Sequence, residues 1–263
     1  MSDSTQRSPQ FPWRLFWLLF VAGVLGAVAI IPFAIDLVGP TLPPPSTPLP
    51  PFPIIIVIGV VQNLVLLSVM VFVGLKLGRK LGLGVPVLES WLDNDLSGNT
   101  RARLRDGLLV GVAVGIVLLL IVLALVPTLP KLPFVAAAKI ALWKRVLACF
   151  YGGIYEELLT RLFLLTLIAW LATKLLRRKE QILTTTPFWI ANITVAILFG
   201  LGHLPSASLV MPITALVVVA ALALNGIAAI AFGLLYRKHG LESAMIAHFS
   251  ADFVLYVVGP SFL

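Results

Sequence analysis

What governs this chain is its series of apolar runs of about 18 residues or more, each long enough to cross a hydrocarbon core of roughly 30 Å as a helix. Lipid satisfies no backbone donor or acceptor, so such spans must be helical unless they close into a barrel. The runs fall at residues 14–38, 54–77, 107–127, 146–173, 187–203, 209–236 and 241–258. They predict an all-α, polytopic transmembrane helix bundle of seven spans. Composition agrees, because 60% of the 263 residues are hydrophobic and 11% are charged, against about 25% charged in soluble domains. A soluble core could not hide that much apolar surface.

Residues 1–130 are expected to supply N-terminal membrane helices, and residues 131–263 a membrane helical core. Between the first two spans, Gly39 to Pro53 holds eight prolines and no charge, which predicts an extended polyproline-like linker. Leu81 to Arg105 carries Glu89, Asp93 and Asp95 followed by Arg101, Arg103 and Arg105, a pattern that suits an interfacial helix and loop. Ala27-Val28-Ala29 resembles a signal-peptide cleavage site. The apolar run continues to Ile35, however, and a retained first helix is the expectation.

Cytoplasmic loops carry the excess of lysine and arginine. Seven spans put 14 of the 19 basic residues on one side, among them Arg7, Arg79, Lys80, Arg178, Lys179 and Lys238, and leave Lys131 and Lys139 on the other. The chain is therefore expected in the cell membrane, with its N-terminus cytoplasmic and its C-terminus external. The net charge of +8 is accounted for by topology and by attraction to anionic lipid, so nucleic acid is not implied as a partner. The single cysteine, Cys149, excludes a disulfide framework or a cysteine metal cluster.

Function is read from the few ionisable residues inside the spans, where charge is costly and faces a cavity or a partner. The fourth span holds Glu156, Glu157 and Arg161, the fifth ends in His203, and the seventh holds His248 and Asp252. Glu157 and Arg161 are four apart and in the favourable order for pairing. Glu156 lies about 100° around the helix and is left free by its own helix. Asn63, Asn192 and Asn225 are expected to bridge helices, His239 to be a polar turn residue, and Asp36 to sit exposed near a helix end.

Glu156-Glu157-x-x-x-Arg161, Phe199-x-x-x-His203 and His248-x-x-x-Asp252 follow one another on successive membrane helices. In that order, over residues 140–258 and including Gly233 to Arg237, they resemble the CPBP family of intramembrane glutamic endopeptidases. That family includes Rce1-like CAAX prenyl proteases and bacteriocin-immunity proteins of the Abi type. The resemblance implies that Glu156 activates water together with His203. It implies that His248 and the residue at Asp252 stabilise the oxyanion, and that Glu157 and Arg161, with Phe199, support the site. The implied partners are membrane lipid and a peptide or protein substrate, which could itself be membrane-anchored; a prenylated substrate is not implied.

The chemistry is consistent with these residue types, since amide hydrolysis needs a base for water and a donor for the tetrahedral oxyanion. Asp252 stands where asparagine occurs in relatives. An ionised carboxylate only accepts hydrogen bonds, so Asp252 acts either as a neutral acid or by orienting His248 one turn away. No cofactor is implied. A metal bound by Glu156, His203 and His248, and a non-catalytic immunity or transport role, stay open at this stage. The chain contains no HExxH helix, no Gly-x-Ser-Gly and no Gly-x-Gly-Asp. Counted along straight helices, Glu156 and His203 lie roughly 25 Å deep and His248 roughly 12 Å, a mismatch that needs a tilt, a recessed turn at Gly240 or a break at Gly152-Gly153. The expected topology is checked by labelling intact cells with an impermeant thiol reagent: a cysteine at Ser46 reacts and one at Ser97 does not.

Overall fold

A computed structural model describes residues 10–39, 52–95, 99–129, 132–177 and 182–262. Most of the proline-rich linker with Ser46, and also Ser97, Arg7, Lys131, Arg178 and Lys179, lie outside the described residues. Among the described residues there is helix and no strand. Seven helical stretches are long and apolar enough to cross a membrane, and the chain is a multi-pass membrane protein.

The first span is α1 (Trp13–Ala29), continued by α2 (Ile31–Val38), with Pro32 in the first turn of α2. The second is α3 (Phe52–Leu81), followed by the short α4 (Pro86–Leu92). The third is α5 (Thr100–Leu125), after which α6 (Pro133–Ala137) leads to the fourth. That fourth span runs from α7 (Leu142–Phe150) through two π-helical segments, Tyr151–Glu156 and Leu158–Leu165, into α8 (Thr166–Leu175). The fifth is α9 (Thr185–Gly202), with α10 (Leu204–Ser208) beyond it. The sixth is α11 (Ala215–His239), and the seventh is α12 (Leu241–Asp252), extended by a π-helical turn over Phe253–Val258.

Two expectations are adjusted. The predicted loop up to Arg105 ends sooner, because α5 begins at Thr100. Of its arginines, Arg103 donates to the His239 carbonyl at 2.5 Å and Arg105 pairs with the neighbouring Asp106 at 2.8 Å. The sixth span begins at Ala215 and not at Leu209. Pro212 interrupts the apolar run, and the Thr214 side chain caps the new helix by accepting from the Val217 amide at 3.3 Å.

The alternation of spans gives the bundle two distinct ends. At the basic end Arg79 donates to the Gln10 carbonyl at 2.8 Å, and the Leu183 amide donates to the Leu81 carbonyl at 3.0 Å. His239 stands 3.4 Å from Asp106. At the opposite end Lys144 pairs with Asp36 at 2.6 Å, and Arg145 donates to the Tyr256 carbonyl at 2.8 Å. Asp36 is thus the partner of a lysine from another span and not merely a tolerated charge.

One cluster of buried residues takes Leu15, Leu67 and Leu118 from the first three spans together with Leu158, Phe232 and Ala247 from the later ones. Among the described residues the most extensive helix contact is between α5 and α12. Gly107, Gly111 and Gly115 recur every four residues, as do Ser243, Ala247 and Ala251 opposite them. A Cβ at Gly107 would come 2.6 Å from the Ser243 carbonyl oxygen, and one at Gly111 would fall on that of Ala247. Small residues at this spacing let membrane helices approach backbone to backbone. Replacing Gly111 by valine is expected to lower stability by about 1–3 kcal/mol through overpacking, whereas Gly59→Ala, which meets open space, leaves it unchanged. Thermal unfolding in detergent measures both.

Candidate active site

The depth mismatch is resolved at the start of α12. Gly240 is the whole connection between α11 and α12, with φ of 95°, a left-handed conformation that glycine adopts without penalty. Gly240 and the next four residues are buried, and the Leu241 amide donates to the Gly84 carbonyl at 3.1 Å. The Glu242 carboxylate accepts from the Leu88 amide at 2.8 Å, so α4 closes over the turn. Leu175, at the end of α8, is by contrast 82% exposed. The seventh span therefore starts inside the bundle, while the fourth protrudes, and His248 is brought level with Glu156.

The fourth span is not broken at Gly152-Gly153; it widens there into π-helix, a form that concentrates at functional sites. The widened turns are tied by hydroxyls: Thr166 donates to the Arg161 carbonyl five residues back at 3.1 Å, and Thr160 donates to the Glu156 carbonyl. The two glycines admit α12. A Cβ at Gly153 would lie 2.9 Å from the Met245 carbonyl oxygen, and one at Gly152 would fall on the Asp252 carboxylate and 3.1 Å from His248 Nε2. Gly152 thus leaves the space that Asp252 and His248 occupy.

Glu157 and Arg161 are fully buried and pair at 3.1 Å, as their spacing predicts. The same carboxylate oxygen, Oε1, also accepts from His248 Nδ1 at 2.7 Å. Arg161 donates further to the Ala229 carbonyl at 3.2 Å and to Thr160, and its guanidinium lies between the Phe199 and Phe232 rings at 5.6 and 5.5 Å. Those rings also flank His248, at 5.9 and 5.1 Å between centroids. Glu157, Phe199 and Phe232, from three spans, hold the imidazole in one orientation.

With Nδ1 committed to Glu157, His248 presents Nε2 to Glu156 Oε2 at 3.6 Å and to Asp252 Oδ2 at 3.7 Å. Both distances exceed a direct hydrogen bond, so Nε2 is bound to neither carboxylate. The Asp252 side chain is therefore not the acceptor that orients the ring; Glu157 is. Glu156 stands outside the buried Arg161 pair, with 17% of its side chain exposed.

His203 is placed by the end of α9. Pro205 cannot donate to the carbonyl four residues back, so the helix stops and restarts as α10. His203 Nδ1 lies 2.7 Å from the Phe199 carbonyl, which leaves Nε2 for substrate or water. Among the described residues His203 makes no hydrogen bond or ion pair with the carboxylates. It shares with Glu156, His248 and Asp252 the wall of one cavity of about 760 Å³.

Of the other intramembrane polar residues, Asn63 donates to the Tyr155 hydroxyl at 3.1 Å and Asn192 to the Ile230 carbonyl at 3.2 Å, bridging helices as expected. Asn225 does not bridge: it donates to the Ala221 carbonyl of its own helix at 2.9 Å and lines the cavity. The link from Glu157 to His248, the tyrosines Tyr151 and Tyr256 on the cavity wall, and the glycine ladder of α5 were not read from the sequence. Only the ladder had a signal there, the four-residue spacing of its glycines.

Among the described residues no group of three or more His, Cys, Asp or Glu side chains is arranged to hold a metal ion. Glu156, His203 and His248, the set that could supply such a site by residue type, share the cavity without forming one. The Glu156 and Glu157 environments predict opposite responses to the same substitution. Glu157→Gln strands Arg161 without its counter-charge and is expected to cost about 3–5 kcal/mol of stability. Glu156→Gln leaves melting nearly unchanged. Parallel unfolding curves of the two variants measure the difference.

The sequence profile of a family described as Rce1-like, type II CAAX prenyl endopeptidase, matches residues 113–254, just over half of the chain. No curated protein and no solved structure matches it.

Proposed function

Because the chain belongs to the Rce1-like type II CAAX prenyl endopeptidases, a family of peptide hydrolases, we propose that it cleaves a peptide bond at or within the bilayer using water activated by Glu156. The observation that carries this reading is the contrast between adjacent glutamates. Glu157 is consumed by Arg161 and His248, whereas Glu156 faces the cavity beside both histidines.

In this mechanism water lies between Glu156 and the scissile carbonyl, with His203 Nε2 as a second contact. Glu156 takes a proton as the water oxygen bonds to the carbonyl carbon. The negative charge moves to the carbonyl oxygen, where His248 Nε2 donates to it. The doubly protonated ring donates at both nitrogens, to Glu157 and to the oxyanion. Collapse of the intermediate breaks the carbon–nitrogen bond, and the proton held by Glu156 passes to the leaving amine directly or through His203. Asp252 serves as a counter-charge to His248 from the cavity side.

Residues 131–263 carry the chemistry in this reading, and the helices before them supply its packing, α5 above all. The N-terminus is cytoplasmic and the C-terminus external. The substrate is a peptide or protein brought to the bilayer.

Glu156→Gln is expected to reduce cleavage by about 10²–10⁴-fold, the usual contribution of general acid–base catalysis. Asp252→Asn retains partial activity, because it removes a counter-charge and leaves the Glu157 bond to His248 intact. Steady-state cleavage by purified, detergent-solubilised protein measures both, and undiminished activity in Glu156→Gln would remove Glu156 from the chemistry. Cleavage is further expected to persist after treatment with a chelator. Loss on chelation, with recovery on adding zinc, would favour a metal-assisted route instead.

A further inference from the structure

The cavity is asymmetric along the bundle. Its walls come from Phe33 and Leu37 of α2, from Phe134, from Met211, and from Tyr256 after α12. All of these belong to the end where Lys144 meets Asp36, and past Glu156 toward the basic end the fourth span adds only Leu159, Thr160 and Leu164 to the lining. Below the cluster the path to the basic end is filled. Arg161, Leu165, Thr166, Tyr236 and Leu241 are at most 1% exposed, and the Thr166 and Tyr236 hydroxyls lie 3.1 Å apart.

We propose that substrate reaches Glu156 only from the end opposite the basic rim, as an extended apolar peptide segment lying in this cavity. The proposal rests on the proteolytic reading of the cluster. The occupant follows from the lining and from continuity with the catalytic groups. At about 760 Å³ the space falls within the range of roughly 300–1,000 Å³ typical of ligand sites, and its walls beyond the cluster are mostly apolar. Asn225 is the polar exception in midcourse. Its amide nitrogen is bound to Ala221, and its amide oxygen accepts from no described residue, which suits a substrate backbone N–H. Ser206, near the mouth, is already bound to the His203 carbonyl at 2.9 Å.

The route is tested in sealed vesicles of known orientation with a charged, impermeant thiol reagent, using Cys149→Ala as the background. Arg101→Cys reports the basic end and Thr128→Cys the opposite end, both being exposed. Ala221→Cys and Asn225→Cys report the cavity. Both cavity positions are expected to react from the Thr128 side alone, and modification of Ala221→Cys is expected to abolish cleavage. In the Glu156→Gln background, a synthetic apolar peptide that the wild-type protein cleaves should slow this labelling several-fold. Reaction from the Arg101 side, or at neither cavity position, overturns the route, and labelling unaffected by the peptide overturns the occupant. Full activity in Glu156→Gln would sink the proteolytic reading by itself, while the side of labelling would still decide the route. The two failures are therefore distinguishable.

Discussion

The site depends on one carboxylate oxygen. Glu157 Oε1 accepts from Arg161 at 3.1 Å and from His248 Nδ1 at 2.7 Å, with both acidic and basic side chains removed from solvent. Charges in such a setting persist only when paired and hydrogen-bonded. A lone Glu157–Arg161 pair would be weak evidence for anything but structure. Its extension to an imidazole changes that meaning, because it fixes which nitrogen of His248 faces the cavity. The fully buried glutamate thus orients the group beside the one that faces the cavity. Its neighbour Glu156, one residue away, is left without a fixed partner and meets His248 only at 3.6 Å.

That arrangement requires α12 to lie unusually close to two other helices. The α5 glycines admit it on one side and Gly152-Gly153 on another, and at Gly152 the space vacated by a missing side chain is filled by Asp252 and His248. The π-helical widening from Tyr151 to Leu165 serves the same end. A regular α-helix would offer all its carbonyls to its own backbone, whereas here Thr160 and Thr166 complete the irregular turns from their hydroxyls. Backbone that departs from α-helix at membrane depth is tolerated where protein surrounds it or a cavity borders it, and both conditions hold in this segment.

Helix number, the Glu157–Arg161 pair and the ionisable residues that share the cavity were legible in the sequence because each follows from local rules: run length, four-residue spacing and residue type. What was not legible depends on contacts between spans. Glu157 and His248 are 91 positions apart, and no spacing rule joins them. Asp252 is four residues from His248 and looked like its natural acceptor, yet the ring turns its Nδ1 to Glu157 and leaves Asp252 at 3.7 Å. The depth of His248 was misjudged for a similar reason. Counting residues assumes that each span begins at the membrane surface, and α12 begins beneath α4. The start of the sixth span was misplaced by reading Leu209 and Val210 as helix when Pro212 and Thr214 set the boundary locally.

Hydrolysis inside a bilayer also needs a route for water, and the helix packing constrains it. The layer of Arg161, Phe199 and Phe232 beneath the cluster is held by charge, ring faces and backbone hydrogen bonds together. Opening it would strand a buried guanidinium, at a cost of several kcal/mol. The cavity wall on the other side is built from α2, α10 and the segment around Tyr256, short elements tied by the Lys144–Asp36 pair and by the Arg145 hydrogen bond to the Tyr256 carbonyl. The network that orients His248 therefore also packs the basic side of the cluster, and on the route proposed above water would reach Glu156 from the same direction as the peptide. In that reading a single cavity, shared by Glu156, His203, His248 and Asp252, would hold both the attacking water and the scissile bond.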